Sequence, residues 1–218
     1  MLRPAVPTEC RSADRTRMKV YKGHLARQYA GNSQYRAWQC DLARFRKAGY
    51  SGWGSEGFWA LTIYRSQRGC RTLPTPMRQI CRLGLGAAKK LLTLVTHINL
   101  HPDAVIGPGT LIPHVGSIQV FPWATIGADC AIHQVCTIGA GPKPGGPTLG
   151  DHVYLGAHVC ILGGITIGDG AVIGAGAVVV TDIPAWATAV GVPAKVVRIG
   201  TPRTGDDADP AAVAENRP

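Results

Sequence analysis

Aromatic residues make up only 6% of the 218-residue chain, too few for an aromatic-rich core, so a regular, thin-layered architecture is expected instead. Acidic residues are nearly missing from the first part. Residues 1–90 carry 18 Lys and Arg against four Asp and Glu, whereas the remainder carries five against nine. The formal charge of +10 is thus concentrated, and two compositionally different pieces join somewhere beyond residue 90. The seven cysteines contain no Cys-x-x-Cys pair and no zinc-ligand spacing. They indicate neither a disulfide framework nor a structural zinc, and a reducing, cytoplasmic compartment is expected. Long apolar runs are also lacking: the stretch from Leu83 to Leu100 is broken by Lys89 and Lys90, and the N-terminus has no signal-peptide core. No membrane span is expected.

What is present divides into four segments. Residues 1–35 hold Arg3, Arg11, Arg15, Arg17, Lys19 and Lys22 without an apolar period and read as a basic, disordered arm. Organelle transit peptides share this character, and Met18 is an alternative start. Residues 36–98 read as a small helical domain. Trp38, Leu42 and Phe45, then Phe58 with Leu61 and Trp59 with Ile63, have the three- and four-residue spacings of two amphipathic helices separated at Gly49–Gly57. Pro76 opens a third helix through Met77, Ile80, Leu83, Ala87 and Leu91 to Val95. The basic side chains there match no nucleic-acid-reading motif, so no nucleic-acid partner is expected. Residues 200–218, with Asp206, Asp207 and Asp209 among Pro and Ala, read as a disordered acidic tail.

Between them, residues 99–199 contain an internal repeat. Aliphatic residues fall six apart at Ile106, Ile112 and Ile118, at Val120, Ile126, Ile132 and Ile138, and from Leu149 through Leu155, Ile161, Ile167 and Ile173 to Val179. Gly commonly follows, and a small or β-branched residue such as Cys130, Val153 or Ala171 stands four places on. A period of six does not fit a helix of 3.6 residues per turn. It fits a short strand plus a turn, with one aliphatic side chain per strand pointing inward. The chain should wind as a coil of parallel strands with a stacked aliphatic core, the glycines supplying the corner conformations. Cys130 and Cys136 then belong to that core. The period slips by two residues between Ile118 and Val120, and an eleven-residue step separates Ile138 from Leu149. The second slip, across Ala140–Thr148, is an ejected loop.

These hexapeptides, with Asn99-Leu-His-Pro-Asp-Ala-Val-Ile-Gly107, Pro113-His-Val-Gly116, Val135-Cys-Thr-Ile-Gly139, Ile173-Gly-Ala-Gly176 and the ending Gly191-Val-Pro-Ala-Lys195, resemble the hexapeptide-repeat acyltransferases, most closely serine O-acetyltransferases. The resemblance implies a mainly β protein: a left-handed parallel β-helix with a small N-terminal α-helical region, in a homotrimer or a dimer of trimers. It implies acetyl transfer from acetyl-CoA to L-serine, giving O-acetylserine and CoA in cysteine biosynthesis, with no metal. The general base falls on His114, with Asn99 at the position of its orienting partner. Gly139, Ala157, Ala175 and Lys195 fall along the CoA groove, and His101 belongs to the family pattern near the cleft.

The chain departs from that pattern in three places. Asn99 stands where the family has Asp, Pro113 where serine-specific members commonly have Asp, and Gly145-Gly-Pro-Thr148 where they present an Arg-His pair for the substrate carboxylate. Lys143 in the loop is the candidate substitute for that pair. A sugar hydroxyl, in polysaccharide or glycoside modification, is the rival acceptor, and an inert coil serving as an assembly subunit is the alternative of another class. Zinc ligation by His133, His152 and His158 is disfavoured, because the three stand at different phases of the repeat. The ending Arg217-Pro218 predicts no complex with cysteine synthase.

Overall fold

The computed structural model describes residues 34–201. The basic arm with Met18, apart from its last two residues, and nearly all of the acidic tail lie outside the described residues. Three helices come first: α1 (Gln34–Lys47), α2 (Glu56–Gly69) and α3 (Thr75–Thr96), with short 3-10 turns at Gly52–Gly54 and Cys70–Thr72. Helix α1 buries Ala37, Asp41 and Phe45 at four-residue spacing. Helix α2 is covered on a wider face that includes Phe58, Leu61, Tyr64 and Arg65. Helix α3 begins one residue before Pro76 and ends at His97, whose left-handed backbone (φ 58°) stops it.

From Ile98 onward the chain forms a left-handed parallel β-helix with three sheet faces. Face one stacks β1 (Ile98–Leu100), β3 (Ile118–Val120), β6 (Thr137–Gly139), β9 (Cys160–Leu162) and β12 (Val178–Val179). Face two stacks β2 (Val105–Ile106), β4 (Thr125–Ile126), β7 (Thr148–Leu149) and β10 (Thr166–Ile167). Face three stacks β5 (Ala131–Ile132), β8 (Tyr154–Leu155), β11 (Val172–Ile173) and β13 (Ala187–Val190), closed by antiparallel β14 (Lys195–Ile199). The register places Leu100, Val120, Ile138, Ile161 and Val179 in one row. Ile106, Ile126, Leu149 and Ile167 form a second row, and Ile132, Leu155 and Ile173 a third. Every one of these side chains is buried. At about 1.5–3 kcal/mol per buried aliphatic side chain, the rows supply the driving force that aromatic residues supply elsewhere.

One sequence reading needs correction. The glycine after each aliphatic residue does not serve to turn the corner. A Cβ at Gly107 would stand 2.5 Å from the backbone of Gly127, and one at Gly156 would stand 2.7 Å from the nitrogen of Ala175. These glycines let successive coils approach. The left-handed conformation falls two residues later, at Asp129, Val135, His152 and His158 as well as at glycines. Helix α3 leaves an apolar face uncovered. Ile80, Leu83, Leu91 and Val95 remain 66–80% exposed in the single chain.

Helix α2 seals the open end of the coil. Tyr64 donates its hydroxyl to the Ala104 carbonyl (2.8 Å) and accepts the Ile106 N–H (3.1 Å), so part of the exposed ladder at β2 is satisfied by this side chain. Arg65 donates to the carbonyls of Ile106 and Gly107, both at 2.6 Å, and is held by buried Asp41 at 3.0 Å. Asp41 also accepts the Thr110 N–H at 3.0 Å. Burial raises the Asp41 carboxyl above the usual carboxylate range, while the Arg65 guanidinium pulls it back down. Gly57 lets α2 approach closely: a Cβ there would stand 2.7 Å from Ile112 Cβ and nearer still to its carbonyl oxygen.

Candidate active site

One edge of the prism, between faces three and one, gathers several of the residues singled out from sequence. His114 stands two places after Ile112, Gln134 after Ile132, Ala157 after Leu155, Ala175 after Ile173 and Gly191 after Ala189. The backbone confirms that these corners stack. His158 N–H donates to Gln134 O (3.0 Å), Gly176 N–H to Ala157 O (2.8 Å) and Val178 N–H to Gly191 O (3.0 Å). The edge climbs four coils at ~4.8 Å each, about 19 Å in all. Lys195, exposed, follows Gly191 across the turn that opens β14. A basic side chain thus stands at one end, Gly191, Ala175 and Ala157 and then Gln134 line the track, and an imidazole stands at the other.

The two-residue slip of the repeat explains the prominence of that imidazole. Eight residues, rather than six, separate Ile112 from Val120, and the surplus bulges outward at Pro113–Ser117. His114 is exposed on this corner. Its ring meets Tyr50 edge-on at 6.3 Å and His133 at 5.6 Å, and His133 in turn meets Tyr154 at 4.9 Å. Burial, with a smaller effect from His114, holds His133 below the ordinary histidine value. The sequence reading did not include Tyr50, His133 and Tyr154 in the site. The available signal was that His133 occupies a place taken by Gly at Gly107, Gly127 and Gly156.

The remaining candidates lie elsewhere. Asn99 projects from face one and donates its Nδ2 to Gln119 Oε1 at 3.2 Å, while Gln119 donates to the His97 carbonyl. Its recorded partner is therefore Gln119. His101 and Gly139 occupy the next edge, between faces one and two. His101 Nδ1 accepts the Asp103 N–H (3.2 Å), a local capping bond, and Gly139 is covered by the ring of Phe121. The ejected loop leaves from that same edge, and Lys143 Nζ lies 3.4 Å from the Asp182 carboxylate. A single chain does not bring His101, Gly139 and Lys143 to His114. Cys130 and Cys136 are buried in the coil, with thiols pushed up to about 12 and about 11 by burial. His133 and His158 stand on the edge of His114 and His152 on another, and no cluster of three metal-binding side chains exists among the described residues.

Residues 146–181 match the family model described as bacterial transferase hexapeptide (six repeats). The serine acetyltransferase of Helicobacter pylori (strain J99) is 40% identical over 114 residues, covering 51% of this chain and 67% of that protein. The structure of the soybean serine acetyltransferase apoenzyme superimposes with a TM-score of 0.64 at 36% identity, covering 76% of this chain and 69% of the soybean chain. The chain belongs to the serine acetyltransferase branch of the hexapeptide-repeat family. This family member also resembles a serine acetyltransferase structure in complex with CoA, with a TM-score of 0.65 and 27% identity over 80% of this chain and 73% of the other. It spans 33–57% of the length of the first curated serine acetyltransferases it matches. Among the described residues, no helix is long and apolar enough to cross a membrane.

Proposed function

We propose that the chain is an acetyl-CoA-dependent O-acetyltransferase of the serine acetyltransferase type. The observation that carries this reading is the shared edge, with His114, Gln134, Ala157, Ala175 and Gly191 on successive coils and Lys195 just beyond them. CoA lies with its phosphates toward Lys195, and its extended arm follows the small residues of the track, where side chains do not bar the backbone. The thioester then reaches His114.

His114 acts as general base. An alcohol is a poor nucleophile at neutral pH, and imidazole can take its proton as the oxygen attacks the thioester carbonyl. The C–O bond forms, the tetrahedral intermediate collapses with loss of the C–S bond, and the same proton passes to the departing thiolate. Tyr50 and His133 steady the ring through their edge contacts. Asn99 serves from face one as a polar neighbour, without the charge a carboxylate gives an imidazolium.

The acceptor site lies between chains. His101, Gly139 and Lys143 share the edge on the far side of face one, so the facing edge of a second copy completes the cleft in a homotrimer. L-Serine is the acceptor implied by family membership. A sugar hydroxyl is the second reading, and it has its own support. Lys143 is engaged by Asp182, and the aromatic groups around His114 suit the face of a pyranose ring while offering no fixed cation to a carboxylate.

The test is CoA thiol release from acetyl-CoA, with L-serine set beside a panel of sugars. His114→Ala is expected to lower turnover by about 10² to 10⁴ while leaving acetyl-CoA binding intact. Release with serine alone supports the first acceptor, and release with sugars alone the second. Binding of acetyl-CoA without turnover of any acceptor would make the chain an inert coil and end the enzymatic reading.

A further inference from the structure

A second concave site lies away from the His114 edge, in the angle between the end of α2, the start of α3 and the first corner of the coil. It is a cleft of about 690 Å³ lined by Gln67, Arg71, Arg78, Arg82, His101 and Asp103, a size suited to a small organic molecule. Its charge is one-sided. Arg71 is paired with Asp103, whose carboxyl is held below its ordinary value chiefly by that hydrogen bond and is therefore ionised. Arg78 and Arg82, four apart on α3, have no recorded ion-pair partner among the described residues, and α3 contains no acidic residue at all. The cleft keeps two uncompensated guanidinium groups facing one volume.

The other groups point to what fills it. His101 accepts the Asp103 N–H at Nδ1, which leaves its proton on Nε2, free to donate. The cleft therefore offers two planar forks and a ring N–H for anionic oxygens. Guanidinium groups match phosphate oxygens in geometry as well as in charge.

We propose that this cleft binds a small soluble diphosphate. Arg78 and Arg82 take the diphosphate, and His101 adds a hydrogen bond from Nε2. The site is separate from the CoA track, which ends at Lys195 on a different edge of the coil, and shares only His101 with the edge proposed to complete the acceptor cleft.

Isothermal titration of the full chain with pyrophosphate, at fixed low salt, tests the assignment. Saturable binding is expected, weakened at least tenfold in Arg78→Ala/Arg82→Ala and unchanged in Lys195→Ala, with succinate binding far more weakly. Should the double variant misfold by circular dichroism, His101→Gln and Arg82→Lys provide the same comparison with smaller losses. Binding abolished by Lys195→Ala and untouched by the arginine changes would assign the phosphates to the CoA track and overturn the proposal. So would the absence of binding, equal weakening by Arg36→Ala on α1, or sedimentation with phosphatidylglycerol vesicles in place of pyrophosphate binding.

Discussion

Neutral His133 beside His114 shows how burial selects a protonation state. Because burial depresses its folded value below the ordinary 6.5, the unfolded chain binds more protons than the native one in the window between the two values. Native stability is therefore lost as pH falls from about 6.5 toward the depressed value, and the loss levels off below it. Urea midpoints at pH 7.5 and 5.5 should show this slope in the parent chain and a shallower one in His133→Asn. The thiols follow the same logic. Cys130 and Cys136, pushed up to about 12 and about 11, carry almost no thiolate at pH 8 and are sealed in the coil. Iodoacetamide should modify exposed Cys40 in the native chain and reach these two only after denaturation, a pattern that peptide mass mapping resolves.

At the scale of elements, the joint between α2 and the first coil rests on one buried ion pair with directed hydrogen bonds. Arg65 has four recorded acceptor contacts, shared among Asp41, Ile106 and Gly107. Arg65→Met leaves the Asp41 carboxyl buried without its partner and should cost about 3–5 kcal/mol in chemical denaturation. Asp41→Leu combined with Arg65→Met should recover part of that loss, because no charge then stays unpaired, although the carbonyls of Ile106 and Gly107 lose their donors. Gly57→Ala tests the same joint by volume. The added methyl meets the carbonyl of Ile112, and overpacking of about 1–3 kcal/mol or more is expected.

For the whole molecule, the unpacked side of α3 is the dominant feature. Leu83 is 80% and Ile80 73% exposed, and a contiguous apolar stripe of this kind marks an association surface. Light scattering should return the mass of three chains or six. Leu83→Glu/Leu91→Glu should lower that mass while leaving the far-ultraviolet circular dichroism unchanged. Loss of acetyl transfer in step with the loss of assembly would support a cleft shared between copies, since His114 and Lys143 occupy different edges of one chain.

The sequence alone determined the coil, because a six-residue aliphatic period has one packing solution: stacked short strands with Ile106, Ile126, Leu149 and Ile167 in one row. It also fixed the helices, through the spacing of Phe45, Phe58 and Leu61, and marked the bulged corner of His114 by a phase slip. Tertiary structure decided what no period encodes. Edges of the prism collect residues a coil apart in sequence, so it alone showed that Ala157 and Ala175 line up with His114 whereas Gly139, His101 and Lys143 do not. It joined Asp41, Arg65 and Thr110 into one buried junction, and it set Tyr50 and His133 against the His114 ring. Such contacts depend on how the faces close in space. Local spacing fixes which side of a strand a residue takes, and only the closed coil fixes its neighbours.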